Sequence, residues 1–228
     1  MKKVLLTAIA VFAFGFANAQ ENDSYKPKKQ SITTEVGLTG GLNNANFDLS
    51  TGVLKFRYFL KDDLALRAGF GLGSKKQETI TGPDVNPITT TLKNSNTQIN
   101  LGVEKHFAGS DRLSTYAGVD LLIGFKGASK NVAEQNGNYQ NTTGANGAGA
   151  KAGNFFGLRL LTGADYYIAK KVFLGVEIGL DIVTSKDKDI DVETKIGSAV
   201  VNSPTLKGAS TFQTQTGVVG GVRIGYQF

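Results

Sequence analysis

Cysteine is absent from the 228-residue chain, and histidine occurs once, at His106. Without thiols there is no disulfide framework. An exported form must be held by packing or by a closed hydrogen-bond ladder. One imidazole and no thiolate leave almost no material for zinc, haem or thiol chemistry. Long apolar runs are missing too: beyond residue 19, nothing approaches the roughly 18 consecutive apolar residues of a spanning helix. If such a chain lives in a bilayer it must be a closed barrel, because only helices and barrels satisfy their own backbone there. Charge of one sign is not concentrated either. The formal net charge is +6, but bases and acids are interleaved, which excludes the basic stripe of a nucleic-acid binder.

Glycine, by contrast, is in excess, at 29 residues, against roughly 7% in average proteins. It weakens helices and suits strands that bend or pack closely. The chain begins with a short basic stretch, Met1-Lys2-Lys3, then an apolar run over 4–16, then Ala17-Asn18-Ala19 before Gln20. That order reads as a cleaved secretory signal over 1–19, its apolar run being too short to span. From residue 32 onward, alternating segments are each followed by a connection. Eight are expected, over 32–42, 53–60, 64–73, 97–107, 113–125, 155–168, 172–183 and 211–228. The connections 61–63, 108–112 and 169–171 are short, and 43–52, 74–96, 126–154 and 184–210 are long, in strict alternation. An up-and-down barrel with two different rims produces that rhythm. The expected fold is all-β: an eight-stranded antiparallel up-and-down transmembrane β-barrel over 32–228. Residues 20–31, which are polar and contain Pro27, read as a loose leader on the short-turn side, the periplasmic rim.

Period two separates the segments into two faces. One carries Leu54, Phe56, Leu66, Phe70, Leu101, Leu121, Leu158, Val176 and Leu180. The other carries Glu35, Lys55, Arg57, Arg67, Glu104, His106, Asp120, Arg159, Asp165, Glu177, Asp181 and Arg223, with glycine at many of the remaining places. Alternation alone also fits a soluble barrel turned the other way. The glycines favour the membrane: a narrow barrel uses them inside, as room for long charged side chains. In addition, Tyr58, Phe107, Tyr166, Tyr226 and Phe228 gather near the short-turn rim, like an interfacial girdle. Leaving His106 aside, six acids face five bases in the interior. Near balance points to a charge-paired, largely sealed lumen, whereas an ion-selective pore shows one sign predominating. Counting back from the turn at 169–171, Arg159 faces Asp181, Tyr167 faces Phe173, and Glu177 faces Gly163.

The chain ends on a strand whose oily face holds Ile224, Tyr226 and Phe228. This resembles the C-terminal assembly signal of bacterial outer-membrane barrels. With segments such as Leu161-Thr162-Gly163-Ala164-Asp165-Tyr166-Tyr167 and Val176-Glu177-Ile178-Gly179-Leu180, the chain resembles the small outer-membrane β-barrel family of Gram-negative bacteria, the OmpA-type transmembrane domain and OmpX-like proteins. The resemblance implies residence in the cell outer membrane, with lipid and the barrel assembly machinery as partners and no cofactor. It leaves the role open among anchors, adhesins, narrow channels and occasional enzymes. The expectation is a non-enzymatic structural or surface-interaction protein, meeting an unknown surface ligand through its long external loops. The alternatives are a narrow porin-like channel and a soluble secreted binding barrel. No catalytic residue is assigned, because His106 lies at the periplasmic end. Asp187, Asp189, Asp191 and Glu193 recur at every second position. They suit either a calcium set or a solvated strand edge, and the EF-hand pattern fails at Val192. Segment 126–154, rich in Gly, Asn and Ala, reads as a mobile surface loop.

Overall fold

The computed structural model describes residues 24–38, 53–107 and 109–228. The signal segment, the start of the leader and the first long connection, 43–52, lie outside the described residues. The described strands are β1 (Ile32–Leu38), β2 (Val53–Lys61), β3 (Leu64–Thr81), β4 (Ile88–His106), β5 (Leu113–Glu134), β6 (Tyr139–Thr143), β7 (Gly153–Ala169), β8 (Val172–Asp187), β9 (Asp191–Ile196), β10 (Ala199–Asn202) and β11 (Ser210–Gln227). They form one antiparallel sheet in the order β10-β9-β6-β5-β4-β3-β2-β1-β11-β8-β7, and a further pairing of β5 with β7 closes a ring of eight. The seam of the ring joins β1 to β11, with Thr34 opposite Tyr226 and Val36 opposite Ile224.

Burial is inverted relative to a water-soluble protein. Arg57, Arg223 and Glu35 are only 1–2% exposed, while Leu72 is 60% and Phe156 56% exposed. Desolvated charge inside and bare hydrocarbon outside suit only a solvent that is itself apolar. The soluble alternative fails on this point. Tyr58, Phe107 and Tyr166 stand exposed near the short turns, and Phe125, Phe156 and Phe212 stand exposed toward the opposite rim. Between Tyr166 and Phe156 on β7, a tilted strand climbs roughly 25 Å, the height of an outer-membrane apolar band.

The three long connections among the described residues, 74–96, 126–154 and 184–210, are not the loops that their polarity suggested. β3 and β4 stay paired without a register break from Leu64–Lys105 out to Thr81–Ile88. β5 continues to Glu134 and folds back into β6, which pairs with β9, and β9 with β10. Outside the bilayer neither face need be apolar, so the alternation fades while the backbone ladder persists. β-branched residues such as Thr89, Thr90 and Thr91 favour that extended form. The Gly-rich stretch in 126–154 is likewise ordered. Asn146 accepts hydrogen bonds through Oδ1 from the amides of Ala148 and Ala150, at 2.9 and 3.0 Å. Gly144, Gly147 and Gly149 there adopt positive φ, which only glycine takes cheaply.

The described part of the leader is not loose either. The Lys29 amide donates to Asp62 in the 61–63 turn at 2.7 Å, and Arg112 in the 108–112 turn donates to the Tyr25 hydroxyl at 2.7 Å. Residues 24–31 thus run beneath the periplasmic rim.

Candidate functional site

Strand parity sends odd residues of β2, β3, β7, β8 and β11, and even residues of β4 and β5, into the lumen. At the periplasmic end this brings in aromatic side chains. Phe59, Tyr116, Tyr167 and Phe173 are fully buried, with Tyr167 packed on Phe173 at 5.4 Å and His106 between Phe59 and Tyr116 at 5.2 and 5.3 Å. Glycines make room for them. A Cβ at Gly163 would strike the Tyr116 hydroxyl, and one at Gly225 would strike the Phe173 ring.

On this layer sits a network of nine of the charges read from the sequence. Arg57 binds Asp165 at 2.6 Å, Glu35 at 2.7 Å and Glu104 at 3.1 Å. Its guanidinium also lies over the rings of Tyr116 and Phe173, at 5.3 and 5.2 Å. Arg67 binds Glu104 at 2.7 Å, Asp120 at 2.9 Å and Glu177 at 2.9 Å. Glu177 further meets Lys55 at 3.2 Å, Arg223 at 3.3 Å and the Tyr116 hydroxyl, which donates to it at 2.9 Å. Arg223 reaches Glu35 at 2.8 Å, and Lys55 reaches Glu35 at 3.2 Å. Every one of the nine therefore has a partner of opposite sign, the condition for tolerable burial of charge.

Arg159 and Asp181 stand apart. They lie opposite each other in the β7–β8 register, joined by a two-pronged contact of 2.6 and 2.7 Å. With side chains 12% and 29% exposed, the pair forms the floor of an outward-facing cavity of about 870 Å³. The plug thus fills the periplasmic half of the lumen and a vestibule of mixed lining opens above it. The sequence did not foresee that division. It also passed over the inward aromatics and Ser114, although strand parity carries the signal for all of them. Glu177 does lie opposite Gly163, and the space beside it is taken by Tyr116.

Because water reaches the pair, its energetics should be milder than those of the plug. Arg159→Ala and Asp181→Ala are each expected to cost about 1–3 kcal/mol. The double variant should cost less than their sum by about 1–2 kcal/mol. Urea unfolding in lipid vesicles measures all three, and strict additivity would show that the fork contributes nothing.

His106 is held from both sides: Nδ1 lies 2.8 Å from Ser114 Oγ and Nε2 2.9 Å from Glu104 Oε1. Hydroxyl, imidazole and carboxylate in line is an order that hydrolases use. Here all three groups are buried, the vestibule does not reach them, and Glu104 also serves Arg57 and Arg67. Beyond the membrane, the alternating acids point to separate partners. Asp189 takes Lys207 at 2.8 Å and the Gly208 amide at 3.0 Å, which hold its carboxyl below the usual range. Asp191 takes Thr205, Asp187 takes Lys151, and Glu193 takes Tyr139. Among the described residues no three metal-ligating side chains converge, so the calcium set does not assemble there. At the seam, the Phe228 amide donates to the Ile32 carbonyl at 2.8 Å, and Tyr226 meets Phe228 edge-on at 5.1 Å.

The profile of the OmpA-OmpF-like porin family matches residues 39–181, more than half of the chain. No curated protein matches. Among solved structures, the outer membrane protein AlkL, determined in DMPC bilayers by solid-state NMR, aligns over 92% of this chain and 95% of its own. Its identity is 13% and its TM-score 0.33. CarO of Acinetobacter baumannii aligns over 88% of this chain and 97% of its own, at 15% identity and a TM-score of 0.31. Both scores are low, and the family match carries the assignment. The chain belongs to the OmpA-OmpF-like porin family and is an outer-membrane β-barrel of the OmpA-like type.

Proposed function

We propose that this protein is a non-enzymatic barrel whose lumen does not sustain ion flow, and that it acts by presenting its outer strands and vestibule at the cell surface. One observation carries the reading: aromatic rings and paired charges from every strand of the ring pack across the periplasmic half of the lumen, with Arg57, Glu35 and Glu177 1% exposed. An ion would have to displace partners from several buried pairs at once, which is costly. The burial of Ser114, His106 and Glu104 supports the absence of hydrolysis. Outer-membrane lipid and the barrel assembly machinery are its expected partners. The vestibule favours a second reading, a narrow channel, because it already opens half of the path.

Planar-bilayer recording separates the two. The purified protein is expected to give no steady conductance steps. Stable, reproducible steps in the wild-type protein would overturn the sealed reading and make the plug a wet, mobile constriction.

A further inference from the structure

We infer that the outer vestibule is a binding site for a small acidic sugar, a hydroxyl-rich ring bearing a carboxylate. The inference names a ligand class for the surface role proposed above. It does not depend on whether the plug conducts.

Three properties of the cavity carry it. The first is charge. Of its four cations, Arg159 is neutralised by Asp181 and Lys151 by Asp187, at 3.3 Å. Lys75 and Lys126 have no carboxylate partner among the described residues, so the pocket keeps an excess of positive charge. Strand parity places both on the inward face, on β3 and β5, with only β4 between them. The second is an amide lining. Gln98 donates to Asn100 and Gln213 donates to Gln215, both at 2.8 Å. The far ends of Gln98, Gln213 and Gln215 remain available among the described residues, offering acceptors and a donor together. Sugar hydroxyls, which donate and accept, use such groups well. The third is a single aromatic platform. Phe155 lines the pocket, with the Lys126 ammonium over its ring at 5.6 Å. A sugar ring that stacked on Phe155 would bring its carboxylate to the ammonium that lies over that ring. The volume, about 870 Å³, falls within the range of small-ligand pockets. The lining is mixed, with Leu122, Phe155 and Val183 among amides and charges, which suits a ring that has both an apolar face and hydroxyl edges better than a plain hydrocarbon.

The test is calorimetric titration of the intact protein in nanodiscs with D-glucuronate, against D-glucose as the neutral counterpart. Glucuronate is expected to bind and glucose to bind at least about tenfold more weakly. Lys75→Gln and Lys126→Gln should each weaken glucuronate by roughly tenfold. Both lysines are exposed, so folding should survive, and unchanged heat-modifiable mobility on gels checks this. Phe155→Leu should weaken glucuronate and glucose alike. Adding lipopolysaccharide to the disc identifies the source. A loss of glucuronate affinity assigns the site to the sugar acids of the lipid, and no change assigns it to free solutes. Equal binding of glucose and glucuronate, or full glucuronate affinity in the doubly substituted Lys75→Gln, Lys126→Gln protein, overturns the inference. Binding without current supports both proposals. Binding with current keeps this site and removes the seal.

Discussion

Arg57→Ala is expected to cost the barrel about 3–5 kcal/mol of unfolding free energy in lipid, the range for a buried charge network that loses one member. The substitution removes the partner of Asp165, Glu35 and Glu104 at once, together with two aromatic contacts. Charge balance sharpens the expectation. The central network holds five acids, Glu35, Glu104, Asp120, Asp165 and Glu177, against four bases, Lys55, Arg57, Arg67 and Arg223. Losing a base widens the imbalance and leaves Asp165 only a 3.5 Å contact with Arg223. Losing an acid narrows it. Glu177→Gln keeps an acceptor for Tyr116, and its former cations retain Glu35, Glu104 or Asp120. That variant should cost less than about 2 kcal/mol. Urea titration of protein refolded into vesicles, read by heat-modifiable mobility, gives both values. If Glu177→Gln proves the more damaging, the interior is not governed by charge count and the description of the plug is wrong.

The second large effect is expected on the other side of the wall. Leu121 faces outward, in register with Leu101 on β4 and Leu158 on β7. Leu121→Arg places a guanidinium in the apolar band and should cost about 2–4 kcal/mol. Its neighbour Leu122 points inward and is 2% exposed. The same vesicle titration applies. Unchanged stability of Leu121→Arg would mean that the inside and outside of the barrel have been exchanged.

How far these features could be read beforehand differs by element. Within the bilayer, hydrocarbon on one side and desolvated charge on the other impose period two. The faces of β2, β3 and β8 were therefore legible residue by residue. The short turn at 169–171 fixed the β7–β8 register, and Arg159 does meet Asp181. Beyond the rim that constraint lapses. Lys75 to Thr81 and Ile88 to Asn96 pair as regularly as the strands below them, yet their side chains alternate nothing. The inward aromatics were legible by parity, since Phe59 follows Lys55 and Arg57 at even spacing, but the inner face was read from its charges and glycines alone. The vestibule was beyond reach. Its walls come from β3, β4, β5, β7, β8 and β11, and only closure of the ring brings Lys75, Phe155 and Gln213 around one space.

The contact between Glu35 on β1 and Arg223 on β11 joins positions 188 residues apart. No partial barrel can form it. A sheet lacking its last strand would hold Glu35, Asp165 and Glu177 short of the guanidinium that they share, along an open edge facing hydrocarbon. Each missing strand strands charges contributed by the others, and unpartnered charge is most costly where the dielectric is low. Intermediates are therefore penalised twice, once by unpaired backbone and once by unmatched ions. Assembly gains the character of an all-or-none event, in which ring closure and neutralisation of the interior are the same step. The polar centre of the barrel then serves as a check on completeness: a chain short of its final strand leaves Glu35, Asp165 and Glu177 each one cation poorer.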